Sequence, residues 1–173
     1  RGETVTVAGR YFTLEAASLR TVVPPVPVWV ASGGPQMFDL TARHASGWNL
    51  AGGGTDLAAV KAKCDGFAEA CRAAGRRAQD FDVCKMTFVG VAADAADAAA
   101  MADELATRSN VTPAALAARM VVGTPDEIAA HLRALTAMGI THHIFSVAES
   151  AQWPDYWAAA ELLAREVIPR VRA

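Results

Sequence analysis

The sequence has 173 residues, of which 53% are hydrophobic and 20% are charged, and its formal net charge is -2. This length predicts one domain over residues 1–173, and this composition can fill a hydrophobic core. Lys and Arg are scattered along the chain and the net charge is weakly negative. Both observations disfavour nucleic acid and anionic membranes as partners. No apolar run approaches the roughly 20 residues that a membrane-spanning helix needs. Three cysteines without a CxxC pair, and no visible signal peptide, predict reduced thiols in a cytoplasmic protein.

The start of the chain predicts a small antiparallel unit and then an extended connection. Thr4–Val7 and Tyr11–Leu14 are β-compatible runs that predict a hairpin. The segment 20–27 contains three prolines, which favour an extended path. Residue 1 is Arg, and no turn or cap precedes the first run. We therefore expect the chain to be the later part of a longer protein.

Two apolar runs, each followed by glycines, organise the next part of the chain. Val26–Ala31 predicts a strand that is apolar on both faces, as in a parallel sheet covered on both sides. Residues 47–51 predict a second strand. The helix between them, over residues 35–43, is expected to turn Met37, Leu40 and Thr41 inward.

The loops after these two strands predict a ligand site. Glycines there can take positive φ and leave backbone amides bare, and the helix that follows adds partial positive charge. Parallel strands bind ligands at their carboxyl ends, so the two loops should lie side by side. From the residues alone, contact with an anion or a cofactor is predicted for Ser32, Gly33 and Gly34, and substrate contact for Asn49, Ala51, Gly52 and Gly53.

The remainder predicts further strand–helix units. A helix begins at Thr55 or Asp56 and buries one apolar stripe, and a third strand follows at residues 82–91. Alanine-rich residues 94–107 predict an exposed helix. The other predicted elements are a short helix over 113–120, a helix that starts with a capping box at Thr124 and ends at Gly139, a fourth strand over 140–147, and a last helix over 153–167 that stops near Pro169.

Strand–helix order repeated about four times predicts an α/β fold with parallel strands, outer helices and right-handed crossovers. Four such units are half of an eight-stranded (β/α) barrel or a small doubly wound sheet. Half of a barrel exposes two sheet edges and its apolar interior. As such a fragment, the chain is expected to pair with its missing half or with another copy, and to form oligomers or aggregates alone.

An ordered set of segments resembles one known family. The segments are GRYFTL, PVWVASGG, RHASGWN, GRRAQDFDV and VGTPDEIAAHLRALTAMGITHHIF. Together they are similar to the C-terminal half of luciferase-like monooxygenases, and within that family to the deazaflavin-dependent oxidoreductases. The resemblance covers the chain from about Gly9 to Val147.

The resemblance implies a fold, a cofactor and an activity. The fold would be the last four β/α units of a TIM (β/α)8 barrel, with coenzyme F420 (a deazaflavin) or, alternatively, FMN at the carboxyl ends of the strands. The resemblance implies that the cofactor is lined by Ala31, Ser32, Gly33, Gly34, Pro35 and Met37. The activity would be hydride transfer between that cofactor and a small organic substrate in the full-length protein, and the chain alone would be inactive. Two departures stand out: Ser46 replaces the family's usual Asp, and the family's acid–base residues belong to early strands that have no counterpart here, so no catalytic residue is assigned.

Other reactive side chains favour structural roles. His142 and His143 are adjacent on a strand, so they point to opposite faces and cannot chelate one metal together. His44 at a helix end and His131 on a helix surface fit structural positions, and Arg76-Arg77 fits a solvated loop better than a phosphate clamp. Trp153 and Trp157 lie four apart on one helix face. No metal site is predicted.

Two alternatives to an enzyme stay open at this point. One is a non-catalytic flavin-binding or assembly module with the same scaffold. The other is an unrelated half-barrel or doubly wound binding domain. In either enzymatic or non-enzymatic form, a small-molecule ligand is the expected partner, and the chain is expected to self-associate.

Overall fold

The computed structural model describes residues 3–18, 26–52, 54–147 and 156–172. Most of the proline-rich connection, Gly53 and Trp153 lie outside these residues. The strands are β1 (Thr4–Ala8), β2 (Thr13–Ser18), β3 (Trp29–Ser32), β4 (Gly47–Leu50), β5 (Asp82–Val91), β6 (Met120–Gly123) and β7 (His142–Val147). The helices are α1 (Pro35–His44), α2 (Leu57–Ala73), α3 (Ala95–Arg108), α4 (Pro113–Ala117), α5 (Pro125–Ala137), α6 (Tyr156–Leu162) and α7 (Ile168–Arg172), with a π-helical turn at Leu163–Val167 between the last two.

The first two strands form the predicted hairpin. β1 and β2 pair antiparallel, with an irregularity between Val5 and Val7. Their apolar side chains stay exposed, and Tyr11 and Phe12 at the turn are 77% and 83% exposed. The hairpin is therefore a separate two-stranded unit.

The other five strands form one parallel sheet around β5. β3 pairs β4, and β4 pairs residues 82–84 of β5. β7 pairs residues 84–89 of β5, whereas β6 pairs residues 88–91. Because residues 84, 88 and 89 pair on both sides, β4 and β6 share one edge of β5 and β7 takes the other. The parallel α/β arrangement of the prediction is confirmed, but β3 is an edge strand of the described sheet and not a central one.

One gap interrupts the sheet. Along the edge of β5 shared by β4 and β6, pairing stops at Cys84 and resumes at Phe88. The three residues between them, Lys85 to Thr87, pair only with β7 on the opposite edge. The carboxyl end of β4 and the start of β6 thus flank an opening in the sheet.

One face of the sheet is covered by helices. Its centre is an aromatic cluster in which the rings of Trp48 and Phe67 stack at 4.3 Å between centroids. The edges of Phe38 and Phe81 meet the Phe67 ring at 6.1 and 5.1 Å. Phe67 is 1% exposed, so its full apolar area stabilises the packing of α2 on the sheet.

The opposite face is open. It carries every second residue of the strands, and Met86, Phe88 and Ile144 there are 43–47% exposed. Trp29 lies on the same face across Gly47, where a Cβ would meet the indole ring at 2.6 Å. The sequence predicted such an apolar face without a second wall for half of a barrel, and the described residues leave it exposed.

Helix ends follow the predicted capping chemistry. The Asp56 carboxylate accepts hydrogen bonds from the amides of Ala58 and Ala59, so Asp56 and not Thr55 caps α2. The capping box of Thr124 and Glu127 starts α5. Gly139 follows that helix with φ of 95°, a conformation that glycine adopts without strain.

Four local predictions are wrong, each for a packing reason. Met37 and Leu40 are 40% and 45% exposed, because α1 instead buries Phe38 against Trp48, together with Thr41 and Ala42. The helix α3 is not an exposed one, since Met101 and Leu105 bury with Leu116 of α4 in a second core cluster.

The other two corrections concern helix ends. The short helix stops at Ala117, and the residues predicted as its end begin β6, which pairs with the far end of β5. The last helix continues past Pro169. The register changes in the π-helical turn, and the proline then occupies the first turn of α7, where a missing N–H is tolerated.

Candidate functional site

The loops after β3 and β4 lie side by side at the carboxyl ends of the strands, as the sequence predicted. The Ala51 amide donates a hydrogen bond of 3.0 Å to the Ser32 carbonyl. A Cβ on Gly33 would stand 2.6 Å from the Ala51 carbonyl oxygen, so only glycine fits between the two loops. The close approach holds both loops at one end of the sheet.

The N-terminus of α1 forms one wall of the space beside the two loops. Gly34 is its N-cap and provides no side-chain cap, and the first turn contains no acidic residue. A Cβ on Gly34 would meet no heavy atom within 4 Å, so the space above the helix end is open. Uncapped amides and the partial positive charge of a ten-residue helix suit an anionic group.

A lysine that sequence reasoning missed joins the two loops. The Lys63 ammonium on α2 donates a 2.6 Å hydrogen bond to the Gly33 carbonyl. It also lies 3.8 Å from the position of a Cβ on Gly52. The sequence signal for Lys63 was its position on α2, one turn after Val60 and beside the buried apolar stripe. Lys63 thus adds a full positive charge between the loops.

The predicted cofactor residues divide into two groups. Gly33 and Gly34 are half-buried at the loop, with Pro35 and Met37 exposed beside them on α1 and Ala31 on the open face. Ser32 is 4% exposed, and its hydroxyl lies 3.3 Å from the hydroxyl of Thr41. The Ser32 carbonyl also accepts a hydrogen bond from the Trp48 indole N–H. The Ser32 side chain therefore holds the loop on α1, while the glycines border the space.

Three of the predicted substrate residues line a cavity of about 640 Å³ on the sheet gap. Asn49, Ala51 and Gly52 form one side, and Met86, Phe88 and Ile144 of the open face form another. Lys85, Thr87 and Arg119 also line it and were not predicted. Gly53 lies outside the described residues.

The cavity rim is held by the excursion that follows β5. The Thr55 amide donates a hydrogen bond of 3.3 Å to the Ala118 carbonyl, and its hydroxyl bonds the Ala117 carbonyl. Gly54 has φ of 54°, and a Cβ there would overlap the Ala118 carbonyl. This contact places Arg119 at the cavity mouth. The sequence predicted Arg119 inside the short helix over 113–120, and nothing there indicated that role.

A second cavity, of about 800 Å³, lies at the amino end of β7 and includes Trp29, His142 and His143. In a (β/α) barrel that end is associated with stability and the carboxyl end with ligands. The His143 Nε2 lies 2.9 Å from the Thr136 hydroxyl, whereas the His142 ring meets Trp29 edge-on at 5.3 Å. The two histidines thus point to opposite faces, away from the glycine loops, as predicted.

The remaining reactive groups support the fold. Arg76 donates to the Ala42 and Ala45 carbonyls at 2.9 and 2.8 Å and stacks on the Phe81 ring. It closes the C-terminus of α1, a more buried role than the solvated loop predicted for it. Burial raises the pKa of the three thiols Cys64, Cys71 and Cys84.

The described part of the chain has neither a cluster of metal ligands nor a membrane-spanning helix. No group of three metal-ligating side chains occurs among the described residues. No described helix is both long and apolar enough to cross a membrane.

Comparison with known proteins gives one family and several similar folds. The family model of the luciferase-like monooxygenases matches residues 1–112. No curated protein matches the sequence. An F420-dependent secondary alcohol dehydrogenase, solved with an F420–acetone adduct, has a TM-score of 0.75 and 22% identity over 100% of this chain and 57% of its own.

Two further solved structures have the same fold. The coenzyme F420-dependent tetrahydromethanopterin reductase of Methanopyrus kandleri gives a TM-score of 0.68 at 19% identity, over 98% of this chain and 59% of its own. The EDTA monooxygenase of Chelativorans sp. BNC1 gives 0.70 at 18% identity, over 98% and 50%. The chain thus spans about half the length of the barrels that it matches, and the α/β fold class is confirmed.

Proposed function

The chain belongs to the luciferase-like monooxygenase family, and from this premise we propose that it forms part of an oxidoreductase that uses coenzyme F420 or, alternatively, FMN. The structural neighbours include F420-dependent enzymes and monooxygenases, so the family supports a flavin-type cofactor of either kind. Bound at the carboxyl ends of the strands, such a cofactor would exchange hydride with a small organic substrate. We prefer coenzyme F420 to FMN as the cofactor.

The observation that carries this proposal is the open space at the start of α1. Uncapped helix amides, the bare backbone of Gly33 and Gly34, and the Lys63 ammonium meet there. Flavin and deazaflavin cofactors carry phosphate, and phosphate suits this combination of amides and positive charge. We assign the phosphate-bearing tail to this place, with Pro35 and Met37 beside it.

The cofactor's ring and the substrate would occupy the adjoining cavity. Its wall on the open face is apolar, through Met86, Phe88 and Ile144, and its rim is polar, through Asn49 and the loop around Gly52. An apolar wall with few polar groups suits a planar ring and a small organic molecule. These residues bind and orient; none of them is assigned a proton transfer.

The open face also bears on the partners of the chain. Because the chain spans about half of each matched barrel, further barrel strands or a second copy would cover Met86 and Phe88. We propose such a cover, a cytoplasmic location and a self-associated state for the working enzyme. A non-catalytic cofactor-binding module is the alternative if turnover is absent.

A cofactor titration of the full-length protein tests the site. Gly34→Ala adds one methyl group to open space, so its unfolding temperature should stay unchanged while affinity for F420 or FMN falls about tenfold or more. Lys63→Met should weaken binding similarly. Lys61→Met is the matched control, since Lys61 lies on the same helix but pairs with Asp65 at the surface. Absence of cofactor binding by the wild-type protein, or equal affinity in all variants, would contradict the proposal.

A further inference from the structure

A buried cation faces the gap in the sheet. Lys85 lies on β5 between the last residue paired with β4 and the first paired with β6, and it is 3% exposed. Within the described residues its ammonium makes no hydrogen bond and no ion pair. Burial lowers the pKa of Lys85, Cys64 raises it and Lys63 lowers it again.

Thr87 is a second buried group without a partner. It is 4% exposed, and its hydroxyl has no hydrogen-bond partner. Thr87 and Lys85 are two residues apart on one strand, so their side chains leave the same face. Both line the cavity of about 640 Å³ at the sheet gap. Lys85 with its unpartnered ammonium therefore lines the cavity, whereas the Thr87 hydroxyl itself is enclosed by the protein.

The cavity has positive charge and no counter-charge. Arg119 lies at its mouth, and Lys63 is close enough to Lys85 to affect its pKa. Among the described residues that line the cavity there is no Asp or Glu. A buried ammonium without an anion is costly, because its lost hydration is not replaced. The missing counter-charge would come from a ligand.

We propose that Lys85 binds an oxyanion, a carboxylate or phosphate group of the ligand, at the gap between β4 and β6. This site is distinct from the start of α1, because neither Gly33 nor Gly34 lines the cavity. The proposal rests on the proposed function in one respect, because the oxyanion is assigned to the organic substrate. Lys85 would hold the acidic group of that substrate, and the other end of the substrate would face the open side of the sheet.

Calorimetry of inorganic phosphate binding to the full-length protein, without cofactor, tests the site. Every variant carries Gly34→Ala as background, so that phosphate binding at the glycine loops contributes little. Lys85→Met should weaken phosphate binding about tenfold or more, whereas Thr87→Val, which removes an enclosed hydroxyl, should leave it unchanged. Both variants remove an unpartnered buried polar group and keep its approximate size. Their unfolding temperatures should therefore stay unchanged or rise, so that weaker phosphate binding by Lys85→Met cannot be ascribed to unfolding. Lys61→Met is the matched control and should bind as the wild type does.

The result separates this proposal from the cofactor assignment. Equal phosphate affinity in Lys85→Met and wild type, or no phosphate binding at all, would overturn it, whether or not F420 or FMN binds. If phosphate still binds with the cofactor saturating, the oxyanion belongs to the substrate, as proposed. If the cofactor displaces phosphate from Lys85, the site holds the cofactor's own phosphate and the assignment to substrate is wrong.

Discussion

The two faces of the parallel sheet are built from similar side chains and differ in what covers them. On the helix-covered face, Val60 and Phe67 of α2 and Leu132 of α5 are at most 1% exposed. On the open face, Met86 and Phe88 are 47% and 43% exposed although they belong to the same strand as buried Val89. Hydrophobicity alone therefore does not tell which face forms the core of this chain.

The difference also separates the tasks of the two faces. Side chains of the covered face hold the helices on the sheet and fix the ends of the strands. Side chains of the open face border the cavity beside the glycine loops. The gap in the sheet connects the two faces, because Lys85 and Thr87 belong to the covered face and yet line the cavity beside the glycine loops. Variants on each face should respond differently, which gives three ways to test the comparison.

The largest expected effect comes from the aromatic cluster. Phe67→Ala should lower the free energy of unfolding by about 3–5 kcal/mol, since it leaves a cavity among three other rings. Phe88→Ala in the same 173-residue chain should cost about 0.5 kcal/mol or less. Urea denaturation followed by circular dichroism measures both. A large loss for Phe88→Ala would mean that the open face is covered, for instance by another copy.

A medium effect is expected where a helix of the covered face begins. Thr124→Ala removes the hydroxyl that caps α5 and should lower the free energy of unfolding by about 1 kcal/mol. Thr112→Ala, at the cap of the short helix α4 beside the cavity, is the matched control. It should cost less, because α4 has five residues and only Leu116 of it is buried. Equal losses would show that capping strength is independent of what the helix buries.

The smallest effect is a pH dependence carried by His143. Burial, and then the nearby His142, lower the pKa of His143 from its ordinary value of 6.5. Below pH 6.5 the unfolded chain therefore binds a proton that the folded chain does not bind. The contribution of His143 to the free energy of unfolding is complete above pH 6.5 and falls as the pH drops below it. His143→Gln should reduce this acid-side slope in thermal unfolding curves, and the remaining slope comes from His131, whose pKa burial also lowers. His142→Gln should keep most of it, since burial is the larger cause; identical slopes in both variants would refute the assignment.

Local signals explain why so much of the fold could be predicted. The strand at residues 82–91, the capping box at Thr124 and the stripe on α2 are set by side chains close in sequence, and the structure has them where predicted. The adjacency of the two glycine loops follows from parallel pairing alone, because carboxyl ends of parallel strands meet. These predictions needed no knowledge of distant contacts.

The missed features depend on contacts that sequence spacing does not contain. α1 buries Phe38 and not Met37 because Trp48, on the next strand, receives the Phe38 ring. β6 exists because the far end of β5 offers it a free edge. Lys63, Lys85 and Arg119 gather at one cavity from three separate elements, and no motif connects them. Charge and burial together identify such residues only after the chain is folded.

The long central strand β5 has a consequence for how the chain reaches this structure. All three of its neighbours run parallel to it, and each reaches it only through a helix or a longer excursion. No hairpin can start the sheet, so the ends of long chain segments must be brought together before any backbone pairing is gained. Folding should consequently be slow for a chain of this length, with the apolar strands exposed to association with other chains meanwhile. The pairing of β5 with its neighbours is thus the folding step at which the chain is most prone to aggregate.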